Sequence, residues 1–204
     1  IAAGVVPKTG ALLLAVGLGI GSLLLAASFG AVTLVFGSLM TAAGFLYDFP
    51  LKRTAWSWVP YVLGLPILPL WAWAAVGASP AAARWVYPLG VLLALALHIA
   101  NALPDDEVDR RAEVRGLVQR LGTAWAVRLL LGCYWLALVI GFALVLSEPA
   151  PQAAVILGTI AGGALGGWAT TRAISEPRAR VVFGALAVGC GLLAISVVAA
   201  ITPG

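Results

Sequence analysis

Charge is what this sequence has least of. Only 10% of its 204 residues are Asp, Glu, Lys or Arg, whereas 62% are hydrophobic. Water-soluble domains carry roughly 25% charged and about 45–50% apolar residues. Folded in water, this chain lacks the polar side chains to cover its own surface. That excludes a soluble enzyme, and the hydrophobicity excludes a disordered segment. Cysteine is scarce too. Cys133 and Cys190 both sit inside apolar runs, too few for a secreted disulfide scaffold, and they read as small packing residues. There is one histidine, His98, and one methionine, Met40; the chain opens at Ile1 with neither the charged start nor the cleavage site of a signal peptide. A membrane-embedded protein is the class that remains.

What the chain does have is long apolar runs, at about 11–29, 31–47, 55–77, 86–103, 124–147, 153–173 and 182–201. Each is near the roughly 20 residues that cross a bilayer as a helix rising about 1.5 Å per residue. Stretches such as Val91-Leu92-Leu93-Ala94-Leu95-Ala96-Leu97 do not alternate polar with apolar, so a β-barrel is excluded. The predicted fold is all-α and integral to the membrane, with seven transmembrane helices in one domain over 1–204. Glycines inside the runs (Gly17, Gly19 and Gly21; Gly162, Gly163, Gly166 and Gly167; Gly184, Gly189 and Gly191) predict close helix packing. Trp56, Trp58 and Trp85 fit interfacial anchors.

Seven spans put alternate connections on opposite sides, and the charges sort accordingly. Eleven of the 12 basic residues share one side; only Arg84 lies on the other. Under the positive-inside rule that side is cytoplasmic, with the N-terminus. Seven of the eight acidic residues also lie there, the exception being Glu148. The two connections rich in polar groups are 48–54 and 104–123.

Five acids crowd into 105–113. Asn101, Asp105 and Asp109 are spaced i, i+4, i+8, so a helix continuing through Pro104 with a kink would stack them on one face. Carboxylates one turn apart repel unless a cation sits between them, and Mg²⁺ prefers oxygen ligands shared with substrate phosphates. Arg110, Arg111, Arg115 and Arg120 follow, and guanidinium groups bind phosphate oxygens in pairs. A lipid diphosphate is the ligand this combination suggests. The spacing alone fits equally well with a solvated acidic-basic loop whose arginines set topology. A second connection, Tyr47-Asp48-Phe49-Pro50-Leu51-Lys52-Arg53, brings a tyrosine, an aspartate and two cations to the same side. His98 lies one turn before Asn101, either packed against a neighbouring helix or functional.

These motifs resemble the UbiA superfamily of intramembrane prenyltransferases, and its actinobacterial-type members in particular. The family's second aspartate-rich motif is similar to Asn101-xxx-Asp105-xxx-Asp109 with the following Val114-Arg115-Gly116-Leu117-Val118-Gln119-Arg120-Leu121-Gly122. Its tyrosine–lysine motif is similar to Tyr47 through Arg53, and Ala55-Trp56-Ser57-Trp58-Val59-Pro60-Tyr61 continues the likeness. The likeness covers about 40–125; the last three helices match in length and hydrophobicity only. The family fold has nine helices. The resemblance therefore implies that the seven spans correspond to family helices three to nine, and that Ile1 through Pro7 follow a first aspartate motif carried on two helices absent from these 204 residues. On that reading the 204 residues alone are not competent for ionisation.

The resemblance further implies Mg²⁺-dependent transfer of a prenyl group from an isoprenoid diphosphate to a lipophilic acceptor in a bacterial plasma membrane. Asp105 and Asp109 would hold the Mg²⁺, with Asn101 as an oxygen ligand or orienting group. Lys52, Arg53, Arg110, Arg115 and Arg120 would contact the diphosphate. Tyr47 would face the allylic cation, and Asp48 would serve acceptor contact or structure. Glu113 stands where relatives commonly have glycine. The alternative function is a non-catalytic member that binds lipid or pigment within a larger membrane complex, beside partner subunits. A transporter is disfavoured because the spans hold almost no mid-membrane charge and no internal repeat. Nucleic acid is not an expected partner, since topology and phosphate account for the arginines.

Overall fold

The computed structural model describes residues 7–78, 83–147 and 152–202. Glu148 and the first six residues of the opening segment lie outside them. The protein is an all-α membrane protein. Six helices are long and apolar enough to cross a bilayer: α1 (Lys8–Ser28), α2 (Ala31–Asp48), α5 (Ala83–Ala102), α8 (Thr123–Ser147), α9 (Ala153–Ser175) and α10 (Arg180–Ile201). Between them lie the short α3 (Val59–Gly64), α4 (Ile67–Ala75), α6 (Asp106–Arg111) and α7 (Leu117–Leu121), and a 3-10 turn at Leu51–Arg53.

The third apolar run is thus broken. α3 and α4 divide it at Leu65-Pro66, and Val59–Ala75 is shorter than the other six. Pro66 brings no N–H to the helical ladder, and a neighbour fixes where the chain bends. A Cβ on Gly90 of α5 would stand 2.8 Å from Pro66 Cβ, so only glycine lets the proline seat there. The broken helix packs on α2 through both its halves and on α5.

The core lies among α5, α8 and α10, where Leu93, Ile99, Leu103, Leu130, Tyr134, Leu186 and Leu193 are buried together. α9 closes on α10 through backbone. A Cβ on Gly189 would meet Gly166 N at 2.8 Å, and one on Gly162 would meet Gly189 O at 2.9 Å. Tyr134 donates a hydrogen bond to Gly162 O at 2.7 Å, satisfying a hydroxyl that water does not reach. Glycine packing does not extend to every position where the sequence predicts it. Cβ atoms at Gly17, Gly19, Gly21, Gly184 and Gly191 would meet nothing within 4 Å. α1 packs on α2 and presents Leu12, Leu13, Leu18 and Leu24 outward, as a lipid-facing helix does. Both cysteines are buried and unpaired, in keeping with packing.

Candidate functional site

The polar side chains gather at the end of the bundle where α2 and α5 finish and α8 and α10 begin. The chain reaches this end differently from a continuing helix. α5 stops at Ala102, Pro104 occupies the turn, and α6 starts at Asp106. Pro104 has no N–H to carry the ladder on, so Asn101, Asp105 and Asp109 do not share one unbroken helix. Local hydrogen bonds nonetheless keep the turn tight: Asp106 N–H donates to Leu103 O and Asp109 N–H to Asp105 O.

α6 ends in a Schellman motif, with Val114 N–H on Asp109 O at 2.9 Å and Glu113 N–H on Arg110 O at 3.2 Å. The residue at its turning point is Glu113, with φ +56°. A left-handed backbone costs a non-glycine residue roughly 1–2 kcal/mol. This explains why glycine suits the position and why Glu113 is a strained exception. Glu113→Gly is expected to raise the thermal melting temperature, with a gain of about 1 kcal/mol; an unchanged or lower melting temperature contradicts the strain.

Two loops are stitched together beside α6. Arg53 donates from Nη2 to Ala112 O at 3.2 Å, and Arg115 N–H donates to Arg53 O at 3.2 Å. Ser57 Oγ accepts from Leu117 N–H at 3.3 Å and pairs with His98 Nε2 at 3.2 Å. His98 is buried and bonded to a neighbouring element, as a packed histidine would be. Its ring stands edge-on to Tyr61, with centroids 4.9 Å apart, and Tyr61 is in turn 5.2 Å from Tyr47. Lys52 Nζ lies 5.8 Å from the centre of the Tyr47 ring, within reach of a cation–π contact. Asn101 Nδ2 donates to Tyr61 Oη at 3.3 Å.

Of the predicted site residues, Tyr47, Lys52 and Asp109 come together. Burial holds the Asp109 carboxyl above the usual carboxylate range; Asp105 and Asp106 push the same way, and Lys52 opposes them. Asp109 thus sits among carboxylates, with the Lys52 ammonium as the cation that offsets its rise. Asn101 and Asp105 line a cavity of about 150 Å³ with Pro104, Arg180 and Phe183. Arg115 keeps its side chain free of hydrogen bonds among the described residues, while Arg120 Nε reaches Arg115 O at 3.4 Å. Arg110 is drawn away: its Nε donates to Asp106 Oδ1 at 3.0 Å.

Asp106 is the residue that sequence reasoning missed. It is 1% exposed and accepts from Arg110, from Gln119 Nε2 at 3.3 Å and from Thr123 Oγ1 at 3.2 Å. Arg178 of the α9–α10 connection stands 4.0 Å away and also bonds Glu107 at 3.2 Å. One carboxylate therefore ties α6 to α7, α8 and the α9–α10 connection. Gln119 Nε2 also donates to Asp109 Oδ2 at 3.4 Å, so the clasp holds the predicted metal ligand as well. The i, i+4 spacing of Asp106 and Arg110 was the available signal.

Among the described residues no three His, Cys, Asp or Glu side chains converge as a closed metal cage. Mg²⁺ does not need one: it commonly takes one or two carboxylates and completes its shell with water and substrate phosphate. The electron-rich Asp105–Asp109 surroundings fit such a shared ion.

Below this end, the α5–α10 seam opens into an apolar cavity of about 560 Å³, walled by Leu93, Leu97, Ala187 and Gly191 and by Leu65 and Pro66 of the broken helix. From Leu97 to Val86 along α5 the cavity runs about 16 Å at helical rise.

No curated protein and no solved structure matches the chain. The model of the UbiA prenyltransferase family matches residues 1–189. That region takes in both stitched loops, the Asp106 clasp and the polar end of the α5–α10 seam, and the chain belongs to the UbiA prenyltransferase family.

Proposed function

We propose that the protein transfers a prenyl group from an isoprenoid diphosphate to a lipophilic acceptor, with Mg²⁺. The observation that carries this reading is the α5–α10 seam. Its end holds a small cavity with an amide and a carboxylate, and a second, largely apolar trough starts one turn deeper along α5 and α10. A charged head on a hydrocarbon tail is the shape and polarity that suit it.

Asp105 and Asp109, with Asn101 beside them, would hold the ion, which would neutralise charge on the diphosphate and favour its departure. Lys52, Arg53, Arg115 and Arg120 supply further positive charge to the leaving group. Arg110 supplies it with the guanidinium nitrogens that Asp106 leaves unused. The C–O bond breaks with its electron pair leaving on the diphosphate. The acceptor's nucleophilic atom then bonds to the allylic carbon and a proton is released to solvent. The faces of Tyr47 and Tyr61 stabilise the cation while it lasts, and their edge-on packing with the buried His98 limits water at it.

The site end faces the cytoplasm of a bacterial plasma membrane in this reading, because 11 of 12 basic residues lie on that side. A non-catalytic member would use the same trough to hold a lipid or pigment. Incubating the whole protein with radiolabelled isoprenoid diphosphates and membrane extract, with and without Mg²⁺, separates the two. Mg²⁺-dependent label in a new lipid is expected. Label retained on the diphosphate by a protein that co-purifies with lipid favours the binding subunit.

The trough makes a prediction of its own. Gly191 lines the trough and a Cβ there meets nothing within 4 Å, so Gly191→Leu places its side chain into the cavity. Each CH₂ removed from water contributes about 0.8 kcal/mol. Longer isoprenoid diphosphates should therefore lose tenfold or more in kcat/KM, and short ones little. An equal loss at all chain lengths contradicts a tail in this trough.

A further inference from the structure

We infer that Arg180, at the start of α10, is a diphosphate-binding residue that completes the head site from an element outside the two loops. The inference rests on the prenyl diphosphate reading above and adds a contact to it from an element outside both motifs.

Several arginines around this end are engaged by carboxylates, while, among the described residues, Arg115 of the second loop, like Arg180, is not. Arg110 and Arg111 pair with Asp106 and Glu107, and Arg172 pairs with Glu176. Arg178, two residues ahead of Arg180, is held by Glu107 and stands beside Asp106. That anchorage fixes the connection from which Arg180 projects. Arg180 itself has no ion pair or side-chain hydrogen bond among the described residues, yet it lines the same cavity as Asp105 and Asn101. Guanidinium and carboxylate share this space without closing on each other. A phosphate with its counter-cation suits both walls: the guanidinium binds phosphate oxygens as a paired donor, and the carboxylate takes the cation.

The cavity's fifth residue gives the head site its direction. Phe183, one helical turn on from Arg180, is half-buried and lines the cavity too. One turn further, Ala187 begins the apolar trough. Arg180, Phe183 and Ala187 thus step along α10 from charged, to aromatic, to aliphatic surroundings. A prenyl diphosphate has the same order of groups from its phosphate to its tail.

Direct binding by the whole protein in detergent tests this with three probes: geranylgeranyl thiolodiphosphate, which resists ionisation, geranylgeraniol, and inorganic pyrophosphate, each with Mg²⁺ present. In Arg180→Ala the thiolodiphosphate is expected to bind at least tenfold more weakly, and pyrophosphate likewise, while the alcohol binds as before. Arg180→Lys should recover part of the loss, since it restores charge without the paired donor. Arg180 is exposed, so both variants should melt with wild type. Wild-type affinity of Arg180→Ala for the thiolodiphosphate overturns the assignment, as does an equal loss for the alcohol. Wild-type protein that binds alcohol and thiolodiphosphate equally overturns the prenyl diphosphate reading itself.

Discussion

Asp105→Ala and Asp109→Ala are each expected to slow prenyl transfer by a factor of about one hundred to one thousand, the cost of removing one preorganised electrostatic group from a site of charge separation. Neither should unfold the protein. Asp105 is exposed, and Asp109 is partly so and shares its one side-chain partner, Gln119, with Asp106. Removing Asp109 leaves Gln119 satisfied. Burial, with Asp105 and Asp106 beside it, already disfavours the charged form of the Asp109 carboxyl, so its loss removes little stabilisation. The signature is a large fall in turnover at an unchanged melting temperature. If both variants retain turnover, the carboxylates have no part in the chemistry.

The opposite signature is expected one residue away. Asp106 contributes to stability by accepting three side-chain hydrogen bonds while almost wholly buried. A net hydrogen bond contributes about 1 kcal/mol, and more when one partner is charged. Asp106→Ala should therefore destabilise the protein by about 3 kcal/mol, lowering its melting temperature and loosening α6 from α7, α8 and the α9–α10 connection. Asp106→Asn should do less, because its amide oxygen still accepts from Gln119. Hydrogen exchange confined to α6 and α7 would locate the effect. A melting temperature equal to wild type in Asp106→Ala contradicts the clasp.

The contrast between these neighbours marks how far the residues could be read in order. Helices across 11–29 or 182–201 are legible because lipid leaves the backbone no partner but itself. The break at Leu65-Pro66 is not. Pro60, Pro66 and Pro69 all interrupt that run, and membrane helices accommodate proline through their neighbours. Only the fit of Pro66 onto Gly90 selects the position, and that is a tertiary contact. Pro104 is the converse case. A kinked helix through it keeps Asn101, Asp105 and Asp109 in register, whereas the structure stops and restarts the helix around it.

Within the site, Asp105, Asp106, Glu107 and Asp109 are equivalent in a string of letters. Burial separates Asp106 from the rest, and burial here depends on Thr123 and Arg178, which lie 17 and 72 positions further along. Arg180 was hidden for a different reason: arginine is expected on that side of the membrane whatever it does. The Tyr47–Lys52 pairing was legible because residues five apart across a short turn must stay close. The Ser57–His98 pairing joins the turn before α3 to α5, and no local spacing announces it.

The most direct measurement counts products. Prenyl transfer releases one pyrophosphate for each prenylated acceptor, so the two should appear in a ratio of one, at matching rates, when the whole protein turns over a labelled isoprenoid diphosphate with Mg²⁺ and membrane lipid. That ratio is expected in wild type, with both signals falling together in Asp109→Ala. Pyrophosphate accompanied only by free prenol, or neither product from folded protein, contradicts it.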